Sequence, residues 1–181
     1  MSTINIHSDL IKKCKRNDQK AQMQLYDLYA KAMFTTAKNF VKDHAVAEDM
    51  MQEGFIKAFR KIDSFNQSVS FGAWLKRIVI NQCLDWLKKR KLKIVNLDDA
   101  QVKHHEEDDW QIEQTVSMTQ IIEAIDALPE SNRIVVKLFL LEGYDHQEIS
   151  QILSISEVNS RSLLHRGKVK LKEQLKTVQY A

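Results

Sequence analysis

Residues 145–176 read DHQEISQILSISEVNSRSLLHRGKVKLKEQLK. Asp145 with Glu148 three positions later forms a capping box, in which Asp takes the place of the standard Ser or Thr. A short helix follows, His146 to Leu153, with Ile149 and Leu153 inward. Ser154-Ile155-Ser156 makes a three-residue turn holding one buried Ile, and a longer basic helix runs from about residue 157 to 176. A short helix, a tight turn and a longer basic helix place the second helix in a DNA major groove. The residues early on that helix meet base edges: Glu157, Asn159, Ser160, Arg161 and then His165. Asn pairs with adenine and Arg with guanine, while Arg166 and Lys168 touch phosphate. The competing reading of the same stretch is a helical hairpin with no DNA role.

Upstream of this element, Ser117 opens a helix with Ile121, Ile122, Ile125 and Leu128 on one side. Pro129 sits at the first turn of the next helix, where its missing N–H costs nothing. That helix packs Ile134, Val135, Leu138, Phe139 and Leu141, and Gly143 closes it. In the N-terminal half, Ser8 and Asp18 are N-caps of two helices. The second carries Leu25, Leu28, Tyr29, Ala32, Thr36, Ala37 and Phe40 as a buried stripe. A third helix, from about Val46 to Ile62, turns Ala47, Met50, Met51, Ile56, Phe59 and Ile62 inward. Asp49, Gln52, Glu53, Lys57 and Arg60 lie on or beside its other face. A polar loop, DSFNQSVS, then leads into FGAWLKRIVINQCLDWLKKRK. Leu75, Ile78, Val79, Leu84 and Leu87 supply core there. Trp74, Arg77, Asn81, Asp85, Lys88, Lys89 and Arg90 supply surface. Cations beside aromatic planes are what an unpaired nucleic-acid strand needs, one for phosphates and the other as a stacking partner. Trp74 and Trp86 serve equally well as core.

The composition fits an all-α protein. Four Gly and one Pro in 181 residues leave little material for hairpin turns. With 44% hydrophobic and 28% charged residues the chain is too apolar for disorder, and its longest apolar cluster is far too short to span a bilayer. Two cysteines, Cys14 and Cys83, make neither a disulfide framework nor a metal motif. No export signal precedes them, so a cytoplasmic location is expected. The net charge of +3 hides a segregation. Residues 94–115 hold seven acidic residues and one Lys, and without them the surplus is +9. Two helical domains, 8–93 and 117–176, joined by a flexible acidic linker over 94–116, account for this pattern. The linker's His104-His105 pair lacks an evident third ligand, so neither a metal nor any other cofactor is expected. No Gly-rich phosphate loop, GxSxG or HExxH is present, and the chain is not expected to be an enzyme.

The order of the pieces is more specific than any one of them. AEDMMQEGFIKAFRKIDSF, FGAWLKRIVINQCLDWLKKRK, an acidic linker and ALPESNRIVVKLFLLEGYDHQEISQILSIS together resemble bacterial RNA polymerase sigma factors. The short two-domain form is similar to the extracytoplasmic-function (ECF) group of the sigma-70 family. The resemblance implies promoter-specific transcription initiation with core RNA polymerase, through its β′ coiled coil and β subunit. It also implies promoter DNA and an anti-sigma factor as partners. Asp49, Gln52, Glu53, Phe55 and Phe59 would dock on the β′ coiled coil. Phe65, Asn66, Gln67, Ser68 and Phe71 would recognise and open the −10 element, with a flipped base in the loop. Trp74, Arg77, Asn81, Asp85, Lys88, Lys89 and Arg90 would continue along the single strand. Ser156, Glu157, Asn159, Ser160, Arg161, His165, Arg166 and Lys168 would read the −35 duplex. The chain departs from the family where a Gly-Thr-Val-like run precedes Lys or Arg, Ser and Arg. Here Val158-Asn159-Ser160-Arg161-Ser162-Leu163 stands, with Leu163 at the second basic position. Gly167 replaces a customary Ala, at about 1 kcal/mol of helix propensity. The rival to the whole reading is a stand-alone dimeric helix-turn-helix regulator, which would bind two half-sites without polymerase.

Overall fold

A computed structural model describes residues 7–90 and 117–179. The chain divides into two compact units, Met1–Lys91 and Leu92–Ala181. All regular structure among the described residues is helical, and no helix there is long and apolar enough to cross a membrane. The acidic segment with its His pair lies outside the described residues.

The first unit contains α1 (Ser8–Lys15), α2 (Gln19–Phe40), α3 (His44–Arg60), a 3-10 turn (Ile62–Ser64) and α4 (Phe71–Lys89). Each long helix starts on a side-chain oxygen that satisfies otherwise orphaned backbone donors. Asp18 accepts from the amides of Lys20 and Ala21 at 2.9 and 3.1 Å, Asp43 from Val46 at 3.0 Å, and Ser70 from Ala73 at 3.2 Å. The Asp43 cap moves the start of α3 ahead of the expected Val46. At α1 the N-cap is His7, which makes no capping bond through its side chain, so Ser8 is the first helical residue and not the cap. In α2 the buried stripe is Ala21, Leu25, Met33, Thr36, Ala37 and Phe40. Leu28, expected inside, is 54% exposed, and Ala32 also faces out. In α3 the buried set includes Gly54 and Phe55, whereas Ile56, expected inside, is 51% exposed. The reason is the close approach of α3 to α4. A Cβ on Gly54 would lie 2.6 Å from Val79 Cγ2 and 3.3 Å from its Cα, so this face of α3 rests on α4 backbone and Ile56 falls outside it.

The second unit contains α5 (Met118–Asp126), α6 (Glu130–Val136), a π-helical turn (Lys137–Leu141), α7 (His146–Leu153) and α8 (Glu157–Gln179). Ser117 and Gln120 form a full capping box, and Pro129 occupies the N-cap of α6, one position before the expected first turn. Arg133 closes the α5–α6 corner by donating to the carbonyls of Asp126 and Leu128 at 3.2 and 3.3 Å. Lys137, only 4% exposed, pairs with the Asp126 carboxylate at 2.6 Å. The burial of that ammonium is tolerated because it is paired, and removing Asp126 alone would strand a buried charge. The π turn widens the end of α6: the Glu142 amide donates to the Lys137 carbonyl, five residues back. Gly143 then adopts φ +73°, the left-handed conformation that ends the helix, and the Tyr144 amide reaches the Leu138 carbonyl.

Helices α6 and α8 cross at a second glycine. A Cβ on Gly167 would stand 2.5 Å from Val136 Cγ2. Asn132 on α6 donates to the Leu163 carbonyl on α8 at 2.8 Å, fixing the same crossing. The helix propensity lost at Gly167 is therefore the cost of this approach. Replacing Gly167 by Ala regains about 1 kcal/mol of propensity but imposes an overpacking cost of about 1–3 kcal/mol. Denaturant melts of the full chain should show net destabilisation for Gly167→Ala. A Gly167→Ala/Val136→Ala pair should be more stable than the two single losses added together.

Candidate nucleic-acid interface

The spacing of Trp74, Arg77, Asn81, Asp85 and Lys88 along α4, three or four residues each step, places them on one face. The N-terminal end of that face is built on an aromatic cluster. Phe65 and Phe71 are 2% and 3% exposed, and Trp74 leans on both, with ring centroids 5.2 and 5.7 Å away. Phe65 and Phe71 are thus interior residues, correcting the expectation that they stand among the strand-facing groups: a benzyl side chain buried in its own cluster gains more than it would in water. Their role is to anchor the loop. Lys15 of α1 donates to the Phe65 carbonyl at 3.1 Å, and Ser70 caps α4 at the loop's other end. Between these fixed points Asn66, Gln67 and Ser68 are exposed. The Ser68 amide donates to Asn66 Oδ1 at 3.1 Å, and Gln67 is held at φ +62°, a left-handed conformation that Gln rarely adopts. The tip is an exposed, preformed polar turn. At the far end of α4, the Arg90 guanidinium lies 4.8 Å from the Trp86 ring centroid, beside exposed Lys88 and Lys89.

On α3, Asp49, Gln52 and Glu53 are exposed, as a docking face requires. Phe55 is only 2% exposed, a correction to its placement on that face, and Phe59 is half-buried. Phe55 lies under Tyr26 at 4.7 Å and beside Phe59 at 6.0 Å. The two phenylalanines line an open groove of about 560 Å³ between α2 and α3, together with Gln22, Met23, Gln52 and Ile56. Half of this groove comes from α2, which sequence reading did not include. No sequence pattern marks it: Met23 and Ile56, apolar yet 61% and 51% exposed, stand out only in the folded chain. Glu53 is tied to α4 through Gln82, which donates to Glu53 at 3.0 Å and accepts from Lys57 at 2.8 Å.

In the second unit, α7 begins on the reciprocal Asp145–Glu148 capping box and ends at Ser154, φ +57°, with the Ile155 amide on the Ser150 carbonyl. Ser156 starts α8 by accepting from the Asn159 amide at 3.1 Å, so its hydroxyl is a cap. Asn159 and Ser160 are 3% and 0% exposed, which corrects their assignment to base edges. They lie on the side of α8 that meets α7 and α6, where Ser160 Oγ is 2.9 Å from His146 Nδ1. Leu163 is 1% exposed on the same side, which explains why an apolar residue stands there. The outward face near the start of α8 is Glu157, Val158 and Arg161, with Ser162 and His165 half-buried behind them. Glu157 and Arg161 pair at 3.0 Å. Arg166 Nε donates to the Ser162 carbonyl at 3.3 Å, and Lys168 Nζ lies 5.7 Å from the Phe139 ring centroid. Arg166 therefore folds back along α8, and Lys168 turns its ammonium toward Phe139.

His146 stacks on Phe139 at 4.9 Å. Burial, then the positive charge of Arg161, hold its pKa below the ordinary 6.5, partly offset by Glu157; Lys168 lowers it further and Asp145 raises it. The α7–α8 contact is thus built for a neutral imidazole.

The chain thus carries an exposed, preformed polar turn at the head of a polar-aromatic helix face in one unit, and a helix-turn-helix with a basic second helix in the other. Residues 25–93 match the model of Sigma-70 region 2, and residues 118–171 that of Sigma-70, region 4. The ECF RNA polymerase sigma factor SigW of Bacillus subtilis is 30% identical over 180 residues, covering 92% of this chain and 95% of its own. SigM of the same organism is 27% identical over 150 residues, covering 82% and 91%. Among solved structures, the sigma factor RpoE in complex with the anti-sigma factor NepR from Bartonella quintana shares the fold at a TM-score of 0.55 and 23% identity, covering 85% of this chain and 96% of that one. CnrH in complex with the cytosolic domain of CnrY does so at 0.54 and 20%, covering 93% and 96%. The chain belongs to the ECF sigma factors of the sigma-70 family: it directs promoter-specific transcription by RNA polymerase and is itself no enzyme.

Because the folded state lowers the His146 pKa, it favours the neutral ring. The stability that the ring contributes is full above pH 6.5 and is lost as pH falls through the lower folded value. An NMR titration of the full chain should place the His146 midpoint below 6.5. Arg161→Gln should raise that midpoint by removing a positive neighbour.

Proposed function

We propose that the first unit docks on the polymerase β′ coiled coil through Asp49, Gln52 and the α2–α3 groove, with Phe59 at its edge and Phe55 supporting it from beneath. Glu53 sits at the margin of this face and links it to α4. The turn at Asn66, Gln67 and Ser68 takes a flipped base of the −10 element, and Phe65 and Phe71 hold the turn in place. Trp74, Arg77, Asn81, Asp85 and Lys88 follow the opened strand, with Lys89 and Arg90 at its phosphates. The second unit reads the −35 duplex with the outer face of α8, Glu157 and Arg161 first, with His165 behind and Arg166 and Lys168 toward phosphate. Contacts with the polymerase β subunit complete the holoenzyme, and the protein acts in the cytoplasm. The Bartonella sigma factor is in complex with an anti-sigma factor. An equivalent inhibitor of this chain covers the α3 groove and the α8 face.

The observation that carries this reading is the loop between residues 65 and 70. It is anchored at both ends, has an exposed polar tip, and stands at the head of a polar-aromatic helix face. A loop required only for connection needs no such rigidity, whereas capture of an unstacked base needs a preformed receptor.

The test combines the full chain with sigma-free core polymerase. Specific initiation should appear and fall steeply with salt. A Gln52→Ala/Ile56→Ala pair should weaken core binding roughly thirtyfold, about the 2 kcal/mol of a hot spot. Asn66→Ala and Trp74→Ala should leave core binding intact and slow promoter opening, read by permanganate reactivity of unpaired thymines. Tight duplex binding by the free chain as a dimer, with no affinity for polymerase, would instead establish the stand-alone regulator.

A further inference from the structure

The burial of Asn159 and Ser160 leaves an apolar residue on the base-facing end of the recognition helix. Val158 is 41% exposed, one residue into α8, on the face that continues through Arg161, Ser162 and His165 at steps of three, four and seven. In helix-turn-helix proteins the first turns of the second helix meet base edges, while later turns pass to the backbone. A second exposed valine of α8, Val169, is three turns further on, among Lys168, Lys170 and Lys172, where phosphate contacts are expected. Among the described side chains of α8, Val158 alone presents exposed methyl groups in the first turn.

In the major groove the one apolar feature that distinguishes a base pair is the C5-methyl of thymine. A β-branched side chain fixed at χ1 by its helix offers two methyls at little entropic cost. The neighbouring Glu157–Arg161 pair supplies an acceptor for cytosine and a donor for guanine, but neither group distinguishes thymine. We propose that Val158 is a specificity-determining residue that packs on the C5-methyl of one thymine in the −35 duplex. This inference rests on the reading of α8 as the −35 helix.

The test uses holoenzyme assembled from the full chain and core polymerase. The preferred −35 sequence is first selected from promoters with a randomised −35 duplex. Each thymine in it is then replaced singly by uracil, which removes the methyl and leaves the hydrogen-bonding edge intact. At one position uracil should reduce open-complex formation roughly three- to fivefold, the worth of burying about one methyl group. In Val158→Ala holoenzyme the same replacement should cost nothing. This variant is expected to fold, because the site is exposed and Ala favours helix. Equal uracil penalties in both proteins would overturn the assignment of Val158 while leaving α8 as the reader, provided Arg161→Ala still shifts base preference. No −35 preference at all, and no effect of Arg161→Ala, would overturn both together.

Discussion

Each unit brings two helices closer than side chains normally permit, and the face it offers to a partner depends on that approach. Gly54 lets α3 settle on Val79 of α4, and Gly167 lets α8 settle on Val136 of α6. In the first unit the contact holds the α3 wall of the groove and the polar-aromatic stripe of α4 on one rigid pair of helices. The Glu53–Gln82–Lys57 bridge reinforces the same pair from outside. In the second unit the contact sets how far α8 projects from its support, and Asn132 bonded to the Leu163 carbonyl fixes its rotation. A helix free to roll would exchange its buried residues for its exposed ones. A methyl group at either glycine forces the neighbouring backbone or side chain to shift, since interiors packed at this density have little room to yield.

Rigidity is also concentrated where the chain leaves its helices. The loop before α4 is polar at its tip and would be mobile if only its ends were helical. Phe65 buried against Phe71 and Trp74, with its carbonyl held by Lys15, converts it into a shaped turn. The turn before α8 reaches the same result without aromatics, through Ser154 in the left-handed conformation and Ser156 as the cap. In both places the local order is bought with strained or buried residues so that the exposed ones need not be ordered on binding.

The all-helical fold was legible from few Gly, one Pro and clean 3.6-residue periodicity, and the helix-turn-helix from the Asp145–Glu148 box and the spacing after it. Side-chain direction within a helix was less legible. Leu28 and Ile56 were expected inside from the spacing of apolar residues, but a helix against two neighbours buries the face its closest contact dictates, and Gly54 chose that face for α3. Phe65 and Asn159 failed in the same way from the opposite side. Each stands in a stretch that the family resemblance assigns to DNA, yet each points inward, supporting residues that point outward. A motif marks the segment that binds. Only packing decides which of its side chains are free to do so, and neither the α2 wall of the groove nor the buried Asp126–Lys137 pair has any sequence signature at all.

The same distinction sorts the polar groups of α8 by how readily they can exchange partners. Glu157 and Arg161 form an exposed i, i+4 pair, 45% and 59% accessible, of a kind worth about 0.3–0.5 kcal/mol. Either partner can leave this pair for another at almost no cost. Ser160, itself without solvent exposure, is bonded to His146, and leaving that bond unmade costs about 1–3 kcal/mol. A base would have to repay that loss before it gained any affinity. The helix therefore separates its polar residues into a fixed set that holds α7 and an exposed set able to exchange partners, with Arg161 joining the two by acting on the His146 charge through space.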